Sequence, residues 1–148
     1  MAEYAENRKA RFNYEILEKY EAGIELLGTE VKSVRGGRMS LEGAFVIVRG
    51  GEAFLINASI PPYQMNNTGK EYDPLRNRRL LLTKKEIATL SGTEKNKSLT
   101  IVPISVYNKG RKIKLQITVG KGKKKSDKRE SIKKRETERE LRREYKGH

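Results

Sequence analysis

Residues 14–26 read YEILEKYEAGIEL, and Tyr14, Ile16, Glu18, Tyr20, Ala22, Ile24 and Leu26 fall on alternate positions. A period of two marks a strand, because successive side chains point to opposite faces, so the segment is predicted to be a long strand with one largely apolar face. Gly28 ends the pattern, and Leu27, Val31 and Val34 then recur at helical spacing as far as Gly36-Gly37. A short helix over 29–35 with a glycine C-cap is the expectation.

Working outward, AFVIVR (44–49) and EAFLI (52–56) flank Gly50-Gly51, the composition of a hairpin whose turn needs positive φ. Residues 57–79 carry Pro61-Pro62, Asn66-Asn67, Gly69 and Asp73-Pro74, so a long irregular segment is expected, of the kind that is functional or mobile. Thr83 and Glu86 have capping-box spacing and open a short helix with apolar Ile87 and Leu90 and an expected stop at Gly92. Two further strands, LTIVPISVY (99–107) and RKIKLQITV (111–119), are joined through Asn108-Lys109-Gly110. In the second, Ile113, Leu115, Ile117 and Val119 alternate with polar residues, so one face is buried and the other wet. Pro103 puts its strand at an edge or a bulge. Five or more antiparallel strands with two short helices in about 115 residues predict a mainly β fold, a small closed or nearly closed antiparallel barrel, since closure removes exposed edges. The expected division is a barrel over 1–120 and a basic tail over 121–148, with a hinge at Gly120-Lys121-Gly122.

The charge narrows the function. The chain has 148 residues, 33 Lys and Arg against 19 Asp and Glu, and a net charge of +14. Such an excess suits a polyanion, and several cations on one face would hold RNA through counterion release. The alternative is a generally solvated basic surface. There is no Cys, and the single His is His148, so thiol chemistry is excluded and histidine catalysis or ligation in a folded core nearly so. The run GKGKKKS lacks the glycine spacing of a phosphate-binding loop, and the carboxylates of the body are scattered singly. No enzyme activity, cofactor or metal is expected. No apolar run approaches a membrane span and the start MAEYAENRKAR has no apolar segment of signal-peptide type, so a cytoplasmic protein without membrane attachment is expected. Basic residues group at Arg8, Lys9 and Arg11 after Asn7, at Lys32 and Arg35, and at Arg76, Arg78, Arg79, Lys84 and Lys85. Phe12, Tyr63 and Tyr72 are the aromatics available beside them for base stacking, at least one of them expected in the core.

The last 28 residues hold half the net charge, 13 Lys and Arg against 6 Asp and Glu, and from Ser131 onward only Ile132, Leu141 and Tyr145 are sizeable apolar side chains. That is too few to pack a helix on a core. Asp127 and Glu130 have capping-box spacing, and Glu130/Lys134 and Glu138/Arg142 pair at i,i+4, so a helix can form there. Isolated helices of this length are marginal in water. The expectation is a tail disordered alone and helical on an anionic partner; a solubilising tail without a target is the other reading of the same composition.

Three segments carry a resemblance. NRKARFNYEI running into YEAGIELLGTEVKSVRGG (Asn7 to Gly37), DPLRNRRLLLTKKEI (Asp73 to Ile87) and GKGKKKSDKRE (Gly120 to Glu130) closely resemble the small protein B family, the bacterial tmRNA-binding proteins, over 57 of 148 residues in the right order. The resemblance implies a small antiparallel OB-like β-barrel with two to three short helices, and a non-catalytic adaptor that binds the tRNA-like domain of tmRNA and delivers it to stalled ribosomes for trans-translation. It implies further that the tail enters the decoding centre and the empty mRNA channel of the small ribosomal subunit, against its rRNA. Alanyl-tRNA synthetase and EF-Tu are implied as partners through tmRNA, with the protein acting as a monomer. A ribosomal or general RNA-binding barrel of the same type is the alternative.

Carried over by position, Glu21 and Leu81 match tmRNA-binding residues of the family, and Asn7, Arg8, Lys9, Arg11, Lys32, Ser33, Arg35, Arg76, Arg78, Arg79, Thr83 and Lys84 fall in the matching motifs. A carboxylate at an RNA surface is repelled by phosphate, so Glu21 is expected to accept bonds from base amino groups, 2′-hydroxyls or a neighbouring cation. Lys123, Lys124, Lys125, Asp127, Lys128, Arg129, Ile132, Lys133, Lys134 and Arg135 match the tail, where ribosome contacts are expected. A helix from Asp127 to His148 would span on the order of 30 Å. The chain departs from the family at Phe12, Thr83, Ser126 and Thr137, which weakens the expectation of stacking on decoding-centre bases at Phe12, Ser126 and Thr137.

Overall fold

The computed structural model describes residues 3–64 and 71–123. The tail residues Lys124, Lys125, Asp127, Lys128, Arg129, Ile132, Lys133, Lys134 and Arg135 lie outside the described residues, as do Asn66, Asn67 and Gly69. The elements are β1 (Glu3–Glu6), α1 (Arg8–Asn13), β2 (Tyr14–Ile24), α2 (Gly28–Arg35), β3 (Phe45–Arg49), β4 (Glu52–Ile56), β5 (Arg78–Leu81), α3 (Lys84–Glu94), β6 (Leu99–Lys109) and β7 (Lys112–Gly122). They form one seven-stranded sheet in the order β1-β6-β7-β2-β5-β4-β3, every neighbouring pair antiparallel.

The sheet curls until β3 lies against β6, and α3 packs over the seam between them. At this seam the Val48 N–H donates to both carboxylate oxygens of Glu94, at 3.1 and 3.2 Å. A helix side chain thus covers a strand edge that would otherwise invite pairing with another chain. Leu41, Leu55, Ile60, Leu80, Leu90, Leu115 and Ile117 fill the interior, each at most 2% exposed.

The β3–β4 turn has positive φ at both Gly50 (60°) and Gly51 (75°), the conformation a tight two-residue hairpin requires. Pro103 sits at a bulge: the β6–β7 register shifts between Pro103 and Ser105, in a strand flanked by β1 and β7 rather than at an edge. Three expectations are corrected. The β6–β7 turn is Gly110-Arg111, with Asn108 and Lys109 still paired in β6. Helix α3 passes through Gly92 and caps at Lys95. Gly120, Lys121 and Gly122 are no hinge but the paired end of β7, opposite Ile16, Glu15 and Tyr14, and the Lys123 N–H donates to the Asn13 carbonyl at 2.9 Å. The ordered strand therefore extends past the boundary placed at 120.

The alternation in β2 is also divided. A register shift between Ile16 and Glu18 inserts Leu17, and an inserted residue reverses which face the even positions occupy. Ala22, Tyr20 and Ile24 contact the barrel interior. Tyr14 and Ile16 instead pack with Ala10, Val102 and Ile104 in a second cluster beneath α1. One strand thus serves two cores, and α1 covers only one end of the sheet's outer surface.

Candidate nucleic-acid interface

Paired residues of an antiparallel ladder point to the same side of the sheet. Gly23 pairs with Leu81 on β5 and with Lys114 on β7, Glu21 pairs with Gln116, and Tyr107 pairs with Lys114. These side chains share the face opposite the buried Ala22, Leu80 and Leu115. Leu81 is 48% exposed on this face. Its posture depends on Gly23, where a Cβ would lie 3.1 Å from the Leu81 Cβ and 3.3 Å from Cδ1.

Glu21, on β2, is held by two side chains of β6, reaching across the intervening β7. Its carboxylate accepts from the Tyr107 hydroxyl at 2.5 Å and from Lys109 Nζ at 3.0 Å. The Tyr107 bond first, then the Lys109 bond, holds the Glu21 carboxyl below its ordinary range. Burial, then the Glu21 bond, pushes the Tyr107 phenol up. Glu21 is therefore an ionised, oriented acceptor with lone pairs still free for donors on a partner. Arg79 is exposed but already shared between Glu25 at 2.8 Å and Glu52 at 3.3 Å. The Thr83 hydroxyl accepts the Glu86 N–H at 3.1 Å and the Glu86 carboxylate accepts the Thr83 N–H at 3.0 Å, the capping box read from the sequence. Lys84 and Lys85 follow in the first turn of α3, where the helix dipole disfavours cations, so their charge contributes nothing to the helix.

Beside this face, Lys32 on α2 places Nζ 5.7 Å from the centre of the exposed Tyr63 ring. Arg35 donates to the Arg111 carbonyl at 3.1 Å, joining α2 to the β6–β7 turn. On α1, Arg8 and Arg11 lie near Glu6 at 3.8 and 3.1 Å, and Lys9 pairs with Glu42.

Three residues of the expected RNA contact set are structural instead. Arg78 is 0% exposed; its Nε and Nη2 donate to Glu30 at 2.9 and 2.7 Å. Ser33 is likewise fully buried, its hydroxyl donating to the Pro61 carbonyl at 2.8 Å. Asn7 caps α1 by accepting the Ala10 N–H, and its amide donates to the carbonyls of Leu41 and Pro103. Arg76 is half spent, with Nε 3.0 Å from Glu30. Of the aromatics, Tyr72 turns inward and its hydroxyl donates to Ile60 O at 2.8 Å, with Glu30 at 3.0 Å; Tyr63 is exposed and Phe12 half-buried. Among the described residues no group of three His, Cys, Asp or Glu side chains could hold a metal ion, and no helix is long and apolar enough to cross a membrane.

Sequence reasoning missed Glu30, Gly23, Tyr107 and Lys109. A signal existed for the first: Glu30, Ser33 and Val34 stand at i, i+3 and i+4, the spacing of one helix face, and all three are buried.

A family model described as "SmpB protein" matches residues 4–147. The chain belongs to the SmpB family. The SsrA-binding protein of Mesoplasma florum is 54% identical over 140 residues, covering 95% of this chain and 94% of the relative. The SsrA-binding protein of Microcystis aeruginosa is 51% identical over 136 residues, covering 92% and 88%. A solved structure described as "tmRNA-SmpB: a journey to the center of the bacterial ribosome" superposes with a TM-score of 0.67 at 43% identity, covering 86% of this chain and 92% of that one. The SmpB match takes in the whole outer face described above and continues past Lys123. The mainly β architecture with short helices expected from the sequence is the SmpB fold observed here.

Proposed function

We propose that this chain is a non-catalytic adaptor that binds tmRNA (SsrA) at its tRNA-like domain and delivers it to stalled ribosomes for trans-translation. One observation carries the reading: an exposed Leu81 and an oriented Glu21 carboxylate sit together, among Lys109 and Lys114, on a sheet face that α1 leaves open. Cations alone would hold any RNA. A fixed carboxylate repels phosphate and is satisfied only by amino groups and 2′-hydroxyls, so it selects a folded surface that presents them. Leu81 supplies an apolar contact for an exposed base or ribose beside it.

The membership of the family supports the remaining assignments. Residues 124–148 enter the decoding centre and the empty mRNA channel of the small subunit, becoming helical against rRNA. Alanyl-tRNA synthetase and EF-Tu meet the protein through tmRNA, and the adaptor acts as a monomer in the cytoplasm.

The test compares the affinity of the full chain for the tRNA-like domain and for a length-matched RNA at equal salt, in wild type and Glu21→Gln. Wild type prefers the tRNA-like domain. Loss of a charge-assisted bond of about 1.5–3 kcal/mol weakens Glu21→Gln by roughly tenfold or more. Equal affinity for both RNAs would make the chain a general RNA-binding barrel.

A further inference from the structure

A cleft of about 360 Å³ opens between α2 and the β6–β7 hairpin, with Leu81 and Gly23 in its lining. Its floor is aliphatic, made by Ile24, Leu26, Val31 and Ile113, and its rim carries Arg35, Arg111, Lys112 and Lys114. Among the described residues no carboxylate lines it. The neighbouring cleft between β5 and α3, by contrast, is lined by Glu21, Glu52 and Glu86.

The hairpin keeps its charge against its own stability. Lys109 and Lys112 are directly opposite across the ladder, where like charges destabilise. Lys109 is offset by Glu21, while Lys112 stands exposed beside Arg111. Gly110, at φ 61°, allows the sharp turn that projects Arg111 and Lys112, and the Arg35 bond to the Arg111 carbonyl fixes this end of the hairpin to α2. A guanidinium has five N–H donors, so that single bond leaves Arg35 able to bind phosphate and to present its plane to a base.

We propose that this cleft seats one unstacked nucleotide of the bound RNA, its base on the aliphatic floor and its flanking phosphates on the four-cation rim. The proposal rests on the RNA-adaptor reading and extends the contact surface from Glu21 and Leu81 on to Arg111, Lys112 and Lys114. An apolar floor without cations would suit a peptide side chain, and cations without a floor would suit any phosphate backbone. The two together match a splayed nucleotide, the unit by which single-stranded loops of folded RNA are read.

The full chain is titrated with the tRNA-like domain of tmRNA and with a length-matched hairpin RNA over a series of salt concentrations. Lys112→Gln/Lys114→Gln binds the tRNA-like domain about tenfold more weakly, with a log K against log salt slope shallower by about 2, one unit for each phosphate left without its lysine. Lys95→Gln/Lys97→Gln, altered beyond α3, keeps wild-type affinity and slope. In the wild type, the methyl NMR signals of Ile24, Leu26, Val31 and Ile113 shift on binding. Wild-type affinity and slope in the hairpin variant, or methyl signals that stay in place, overturn the proposal while leaving the adaptor reading intact. A wild type with no preference for the tRNA-like domain overturns both.

Discussion

Arg78 and Glu30 form an enclosed ion pair, with side chains 0% and 1% exposed and both Nε and Nη2 directed at the same carboxylate oxygen. The remaining Arg78 donors reach the carbonyls of Ala58, Pro74 and Arg76 at 2.9, 3.0 and 3.1 Å. One guanidinium thus fastens the segment between β4 and β5 to α2, the helix that carries Lys32 and Arg35. Removing Arg78 takes from the buried Glu30 one of its two guanidinium partners and leaves the carbonyls of Ala58, Pro74 and Arg76 without their donor, and breaking such a buried network costs about 3–5 kcal/mol. Arg78→Ala is expected to lose that much in urea denaturation at neutral pH. Arg78→Met/Glu30→Met, which removes both charges, is expected to lose less than the two single variants summed. A loss below about 1 kcal/mol for Arg78→Ala would contradict the assignment.

The same pair sets an acid limb. Burial alone would push the Glu30 carboxyl up, but bonds from Arg76, from the Leu27 N–H and from Arg78 outweigh it and bring it down to about 2. The folded chain therefore releases this proton more readily than the unfolded one, whose value is the ordinary 4.5. Where the unfolded state binds more protons, stability rises with pH. The contribution is complete above the ordinary value and is lost progressively as pH falls from there to about 2. Urea midpoints between pH 2 and 7 will show this decline in wild type and a flatter profile in Glu30→Gln.

How legible these residues were follows from periodicity. The β2 alternation, the Gly50-Gly51 turn and the Thr83/Glu86 box are local signals, and each produced its element. Segments as short as β1 and α1, four and six residues, complete too little of a period to be read. Arg78 was misassigned because it sits in a basic run, although its parity with Leu80 placed it on the inward face of β5. Its partner lies 48 positions away, and no local pattern reports a pairing at that distance. The Glu21, Tyr107 and Lys109 arrangement was hidden for the same reason, since it exists only once β2, β7 and β6 are in register.

Register also explains Gly120. A Cβ there would come 2.9 Å from the Tyr14 Cβ, closer than real side chains approach, and the atom it meets is the rigid base of the ring rather than a flexible tip. Gly120→Ala must part β2 from β7 or displace Tyr14 from the cluster under α1. Overpacking of this kind costs about 1–3 kcal/mol. Thermal denaturation is expected to register that loss, whereas Gly122→Ala, with open space around its Cβ, should stay within about 0.5 kcal/mol of wild type, the usual range for a substitution at the surface.

Where the tail is cut decides what a truncation measures. Ending the chain after Gly120 removes Lys121 and Gly122, which pair with Glu15 and Tyr14, and the bond from Lys123 to the Asn13 carbonyl. That variant is expected to melt lower than wild type, so any defect it shows mixes barrel damage with tail loss. Ending after Lys123 keeps every one of those interactions. On the adaptor reading, this second variant binds the tRNA-like domain with wild-type affinity, because Glu21, Leu81 and the hairpin cations are untouched. It nevertheless fails to support peptide tagging in a reconstituted translation system stalled on a message without a stop codon, because the cationic segment that would occupy the empty channel is gone. Tagging at wild-type rate by the chain ending at Lys123 would remove the tail from the mechanism, and loss of binding to the tRNA-like domain would place RNA contacts in residues beyond 123.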